Sequence, residues 1–381
     1  MTTRRQVLTH AMIAIASTPS LAGAVVKSIT TKLDETWLDK THGATLPKGA
    51  RLRIVAKSGS APAAKSDYVW HSAPDGGACF GTPDGGWVYV SNSEMFNDAG
   101  GCGAIRFNKK AEVVDAYSIL RNTSRNCAGG ASLWNTWLSC EETPTGQVYE
   151  CDPMGKKPAR LLSALGRFNH EAVAMDPKTG QMYLTEDQPD GCLYRFTPAK
   201  IGDLTKGKLE VGILRGDSPV LTWQAIVDPQ ARTVATRHQV KEAARFRGGE
   251  GIVYHSGSVF FTTKFDNRVW SLALADYKLN VVYDASKFLT PVLTGVDNIE
   301  VSQNGELIVA EDGGNMQIAA LTPTGTALPL ITLHNQDMSE ITGPAFSPDG
   351  SKLYFSSQRG ITGLSEDGIT YELSLPWRAQ L

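Results

Sequence analysis

Carboxylates recur along this chain at comparable stages of short, similar segments, and one cysteine stands among them. Glu171, Glu250, Asp297 and Glu340 each open such a segment, and Cys127 sits at the same stage of another. Further acids close the segments: Glu94, Glu141 with Glu142, Glu186 with Asp187, and Glu311 with Asp312. A fold that gathers these groups into one volume makes their charges repel and strips their hydration, so cations are the natural neutralising partners. Asp and Glu oxygens suit hard ions: calcium, magnesium, manganese or ferric iron. A thiolate at Cys127 is foreign to a calcium-only site and points to a transition metal among them. His170, beside Glu171, reads either as a residue supporting the site or as a packed histidine.

The elements that must position these groups are short strands. Six segments (75–95, 126–143, 169–188, 249–267, 296–313 and 341–360) share one pattern: a small or acidic start, a strand, a tight turn, and a second strand ending in a polar residue. The turns TPDGG, SQNG and SPDG carry Asp-Gly or Asn-Gly hairpin chemistry, and the flanking runs WVYV, MYLT, VFFT, LIVA and LYFS are β-branched and aromatic. Equivalent positions mostly recur at about 45–50 residues, the room a four-stranded blade needs. The fold class expected is all-β, a six-bladed β-propeller with an insertion between the third and fourth repeats. That insertion carries KGKLE at 206–210 and a polar stretch at 229–247 expected to be helical. A two-sheet sandwich accounts for the hairpins but not for their even recurrence. In a propeller the innermost strands line an axial channel, so their starting residues converge.

Composition sets the bounds. The 381 residues are 41% hydrophobic and 20% charged, with a net charge of −2, so there is no basic stripe for nucleic acid. Thr3-Arg4-Arg5-Gln6-Val7-Leu8, a mild apolar run and a small-residue stretch ending at Ala24 read as a twin-arginine signal peptide over 1–24, with the propeller domain over 25–381. The run is too short to span a bilayer. Six cysteines include no C-x-x-C pair; Cys79 and Cys102 are one candidate bridge.

The chain resembles the PhoX family of bacterial alkaline phosphatases. The carrying motifs are DGGACF (75–80), GGWVYVSNSE (85–94), RNCAGG (125–130), TWLSCEE (136–142), GRFNHEAVAMDP (166–177), YLTED (183–187), RGGEG (247–251), VDNI (296–299), AEDGG (310–314) and EITGPAFSPDG (340–350). The resemblance implies an exported phosphomonoesterase acting on small phosphate esters, with iron and calcium held in the channel. It implies metal ligands at Glu94, Cys127, Glu142, Glu171, Glu250, Asp297, Glu311 and Glu340, and catalytic roles for Glu171 and Arg247. Gly248 departs from the basic residue expected before the Gly-Glu pair, and Arg247 is the candidate replacement. The implied location is the periplasm or beyond, reached through the twin-arginine machinery. Two rival readings are a calcium-dependent lactonase or esterase propeller, which needs no thiolate, and a non-catalytic periplasmic interaction propeller, which needs no acids at blade starts.

Overall fold

Short apolar runs joined by tight turns fold into six antiparallel sheets in a computed structural model, which describes residues 33–376 apart from 34, 313, 314 and 323. The signal-peptide segment lies outside the described residues. Gly305 and Gly350 take φ of +84° and +66° and close their hairpins with hydrogen bonds to the carbonyls of Ser302 and Ser347. Only glycine adopts such angles without strain, which is why these turns read so plainly from sequence.

Each sheet is one blade. The inner strands, in chain order, are Pro74–Gly81, Asn126–Ala131, His170–Met175, Gly249–His255, Val296–Val301 and Ile341–Phe346. Each packs against the next, and the last packs against the first, so the ring closes. Blade six takes its outermost strand, Arg51–Lys57, from the start of the described chain, where it pairs with Ile369–Ser374. Strands Thr36–Asp39 and Ala44–Pro47 extend the outer edge of blade five.

Blades stack face to face, so their middle strands are buried on both faces and lack a polar side. Trp87–Ser93 and Met182–Glu186 are buried throughout. Six apolar clusters among the described residues correspond to the six blade–blade interfaces. Tyr89 with Tyr354 joins blades one and six, and Leu138 with Val173 and Leu184 joins blades two and three.

The insertion differs from expectation. KGKLE belongs to the fourth strand of blade three, Asp203–Ile213, which pairs with a fifth strand, Thr222–Ala225. Residues 229–247 are not a helix: they hold one 3-10 turn, Thr236–His238. Side-chain bonds replace the helical ladder there. Gln239 donates to the Asp228 and Val234 carbonyls, and Thr236 Oγ donates to the Arg167 carbonyl. No helix among the described residues is long and apolar enough to cross a membrane.

Near the axis the inner strands approach too closely for side chains. A Cβ on Gly251 would lie 2.5 Å from the Ile299 nitrogen, and one on Gly76 would lie 2.5 Å from Ala128 Cα. Both contacts are backbone, which cannot yield locally. Gly251→Ala should therefore destabilise the fold by about 1–3 kcal/mol, read as a lowered urea midpoint with unchanged slope. Wild-type stability in this variant would mean the blades have slack at the axis.

Candidate metal centre

The same irregularity occurs in every inner hairpin. In five blades the inner strand makes a single pair with its neighbour before the register slips: Pro74 with Ser93, Asn126 with Glu141, His170 with Glu186, Gly249 with Thr263, and Val296 with Glu311. Blade six pairs Ile341 and Thr342 before slipping. A bulge bends the strand and re-aims the residue inside it. The re-aimed residues are Asp75, Cys127, Glu171, Glu250 and Asp297; in blade six the equivalent strand position is Thr342, which stays paired with Ser356. One position past each strand-two pairing stand Glu94, Glu142, Asp187, Lys264, Asp312 and Gln358. Two rings of side chains thus surround the axis, and Glu340, just before the blade-six inner strand, joins them.

Nine of these residues could hold cations. Asp75, Glu94 and Cys127 offer ligand atoms within 4.8 Å of one another; so do Cys127, Glu142 and Glu171; Glu171, Glu250 and Asp297; and Asp297, Asp312 and Glu340. The four groups overlap through Cys127, Glu171 and Asp297, forming one arc from blade one to the entry of blade six. Basic and amide groups edge it. Arg125 donates to Glu94 Oε1 at 2.8 Å and to Glu142 Oε2 at 2.5 Å. Arg359 donates to Glu340 Oε1 at 2.6 Å. Gln358 Nε2 bridges Asp75 Oδ2 and Glu94 Oε2 at 2.5 and 3.0 Å.

The electrostatics are adverse to a bare site. Burial, then neighbouring carboxylates, pushes Asp75, Glu171 and Glu340 well above the usual carboxylate range. Burial lifts Glu250 likewise, although Lys264 opposes it. Burial also raises Glu142 to about 8 and Asp297 to about 7, against the pull of Arg125 and Lys264 respectively. The Cys127 thiol is raised by burial and by Asp75 and Glu171. Glu171 decides the question of fit. It is 1% exposed, and neither carboxylate oxygen has a hydrogen-bond partner. A buried carboxyl with both oxygens unpaired carries a large desolvation penalty that a cation removes. One thiolate beside oxygen donors fits a transition metal, and the oxygen-only groups fit calcium.

The expected ligands Glu94, Cys127, Glu142, Glu171, Glu250, Asp297 and Glu340 all fall in the arc. Glu311 does not. Its carboxylate accepts from the Thr294 and Gly295 nitrogens and from Gln317 Nε2, tying down the loop that enters blade five. Asp312, one residue on, faces the axis instead. Glu141 and Glu186 hold loops in the same way as Glu311. Arg247 is exposed, and its guanidinium makes no ion pair among the described residues. His170 packs on Phe168, with ring centroids 3.5 Å apart, and Nε2 donates to the Gly166 carbonyl. All six cysteines are free, so Cys79 and Cys102 form no bridge. Sequence reasoning did not single out Asp75 or Lys264 as site residues, although each holds a repeat position occupied by an acid or thiol in other blades.

The sequence matches the alkaline phosphatase PhoX family over residues 87–151, 144–281 and 285–360. The chain belongs to the PhoX family. It is a phosphatase propeller, which sets aside the rival lactonase and interaction-propeller readings. A Pseudomonas fluorescens PhoX, solved with the transition-state analogue vanadate, is similar in structure with a TM-score of 0.74 at 16% identity, covering 87% of this chain and 96% of that one. A gluconolactonase, XC5397 from Xanthomonas campestris, shares the fold more loosely, with a TM-score of 0.53 at 12% identity over 86% and 91% of the two chains. Comparison with curated protein sequences gives no match.

The raised carboxylates give this PhoX-family site a signed pH dependence. A carboxyl whose folded pKa exceeds its unfolded value stabilises the fold below the unfolded value and loses that contribution as pH rises through the folded one. Asp297 and Glu142, raised from 3.8 and 4.5 to about 7 and 8, place the loss between about pH 4 and 8. Chelator-treated protein should therefore show a falling Tm across that range, while metal-reconstituted protein should not. Parallel Tm curves with and without metal would contradict the arrangement.

Proposed function

We propose that this phosphatase is an exported, multinuclear iron- and calcium-dependent phosphomonoesterase working at the two rings. The observation that carries the reading is Glu171: a buried carboxylate with two unpaired oxygens, grouped with Cys127 and Glu142 on one side and Glu250 and Asp297 on the other. Iron is assigned to the groups containing Cys127, because thiolate favours a transition metal. Calcium is assigned to the oxygen-only groups of Glu171, Glu250, Asp297, Asp312 and Glu340. Bound there, such ions supply positive charge to phosphoryl oxygens and acidify a water for attack.

The chain's own groups divide the remaining work. Arg125 and Arg359 are committed to carboxylates and hold them in place. Arg247 is uncommitted and precedes Gly248, where a Cβ would lie 3.3 Å from Asp187 Oδ1, so it is assigned to orient the phosphate of the incoming ester. Glu171 is assigned a catalytic place because it links the two halves of the arc. The substrate is a small phosphate ester, the ligand class suggested by the vanadate-bound Pseudomonas relative. No serine or threonine nucleophile is invoked.

Export through the twin-arginine machinery to the periplasm is part of the proposal and rests on Arg4 and Arg5. Replacing both with lysine should strand the precursor in the cytoplasm; normal export of that variant would contradict it.

The site itself is tested by two substitutions in protein purified from its own host. Glu171→Gln keeps size while removing charge, so metal affinity and hydrolysis of p-nitrophenyl phosphate should fall at least roughly ten- to a hundredfold with the fold intact, and metal content should fall with them. Cys127→Ser should lose iron in preference to calcium. Full metal content and full rate in Glu171→Gln would overturn the reading.

A further inference from the structure

Blade four breaks the pattern of the outer ring. Blades one, two, three and five carry Glu94, Glu142, Asp187 and Asp312 at this position, whereas blade four carries Lys264. The Lys264 ammonium lies 2.8 Å from Glu250 Oε1, 3.4 Å from Asp312 Oδ2 and 3.6 Å from Asp187 Oδ2. One cation therefore stands among carboxylates from three consecutive blades.

The backbone delivers it there. Strand Ser258–Thr263 runs into a 3-10 turn, Lys264–Asp266, and the Lys264 nitrogen donates to the Gly248 carbonyl at 2.8 Å. Thr263 Oγ donates to Asp266 Oδ1 at 2.5 Å, fixing the turn from the other side. Only 27% of the lysine side chain is exposed. The three acids around it include no thiol or imidazole. They form an oxygen-only donor set, the kind a hard divalent ion takes. An ammonium is the side chain that best replaces such an ion: a compact point charge with three donors.

We propose that Lys264 is a resident counter-ion that permanently takes one cation position of the arc, so this chain binds one divalent ion fewer than its ring of acids would otherwise accept. The inference rests on the multinuclear reading above. It explains why an outer ring that is acidic in four blades carries a base in the blade where Asp187, Glu250 and Asp312 converge. Restoring an acid at 264 gives blade four the side chain its neighbours have, and removing the ammonium leaves three carboxylates without their cation.

The test is calcium per chain, by elemental analysis of holoenzyme dialysed against calcium, for wild type, Lys264→Glu and Lys264→Gln. Lys264→Glu should gain one calcium per chain with iron unchanged. Lys264→Gln, which adds no charged ligand and keeps the test decisive if the Glu variant fails to fold, should show a larger calcium-dependent rise in Tm than wild type. Calcium content and calcium response equal to wild type in the folded variants would overturn the proposal. Unchanged calcium with inhibition by inorganic phosphate weakened roughly tenfold or more would also overturn it, assigning Lys264 to the substrate phosphate. Metal-free wild-type protein would instead sink the multinuclear reading, because that rests on the absolute content of wild type and the counter-ion role rests on the difference between variant and wild type.

Discussion

The structure turns on the mutual repulsion of carboxylates packed around the propeller axis. Asp75, Glu171, Glu250 and Asp297 are each 5% exposed or less, and several face one another within 4.8 Å. Water cannot screen charges held there, and like charges at such separations oppose ionisation strongly. A sequence selected for stability alone would place apolar residues at these positions, as positions two to four further along the same strands do: Ala78, Ala131, Val173 and Ile252 line the channel beyond the acids and Cys127. The rest of the fold can be understood as the apparatus that holds the repulsion in place.

That apparatus acts on the backbone of the ring residues as well as on their side chains. Asn92 of blade one donates to the Cys127 carbonyl of blade two, and Thr185 of blade three donates to the Glu250 carbonyl of blade four. Thr262 of blade four donates in turn to the Asp297 carbonyl of blade five. Each clamp reaches from the second strand of one blade to the bulge of the next. The blades thus fix one another where the charges gather, and the apolar interfaces between blades resist the opening that repulsion favours. Such prior fixing suits phosphate chemistry, where catalysis depends on charge already positioned before the ester arrives.

Much of this was legible in the sequence because the repeat is printed in two separate alphabets. Asp-Gly and Asn-Gly turns between runs such as WVYV and LIVA announced the hairpins, and their spacing announced blades. Acids at Glu171, Glu250 and Asp297 announced the channel, since packing does not ask for them at repeated positions. The misjudged site residues share one cause: side-chain direction depends on register, which composition does not reveal. Glu311 and Asp312 are adjacent acids, and only the pairing of Val296 with Glu311 shows which one turns to the axis. Asp75 lies in the DGGACF motif, but only the bulge that aligns it with Cys127 turns it to the axis. The stretch at 229–247 has helical-looking polarity, but Asp228, Thr236 and Gln239 spend their side chains on backbone partners instead.

Family membership fixes the class of chemistry, and the charge pattern fixes what that chemistry demands of this chain. Anomalous diffraction at the iron absorption edge, from crystals of protein exported by its own host and never exposed to chelator, tests the account most directly. An iron peak is expected in bonding reach of Cys127 Sγ, with Glu171 linking it to further cation density beside Asp297. Ordered, folded protein with clear density for both rings and no cation between them would contradict it.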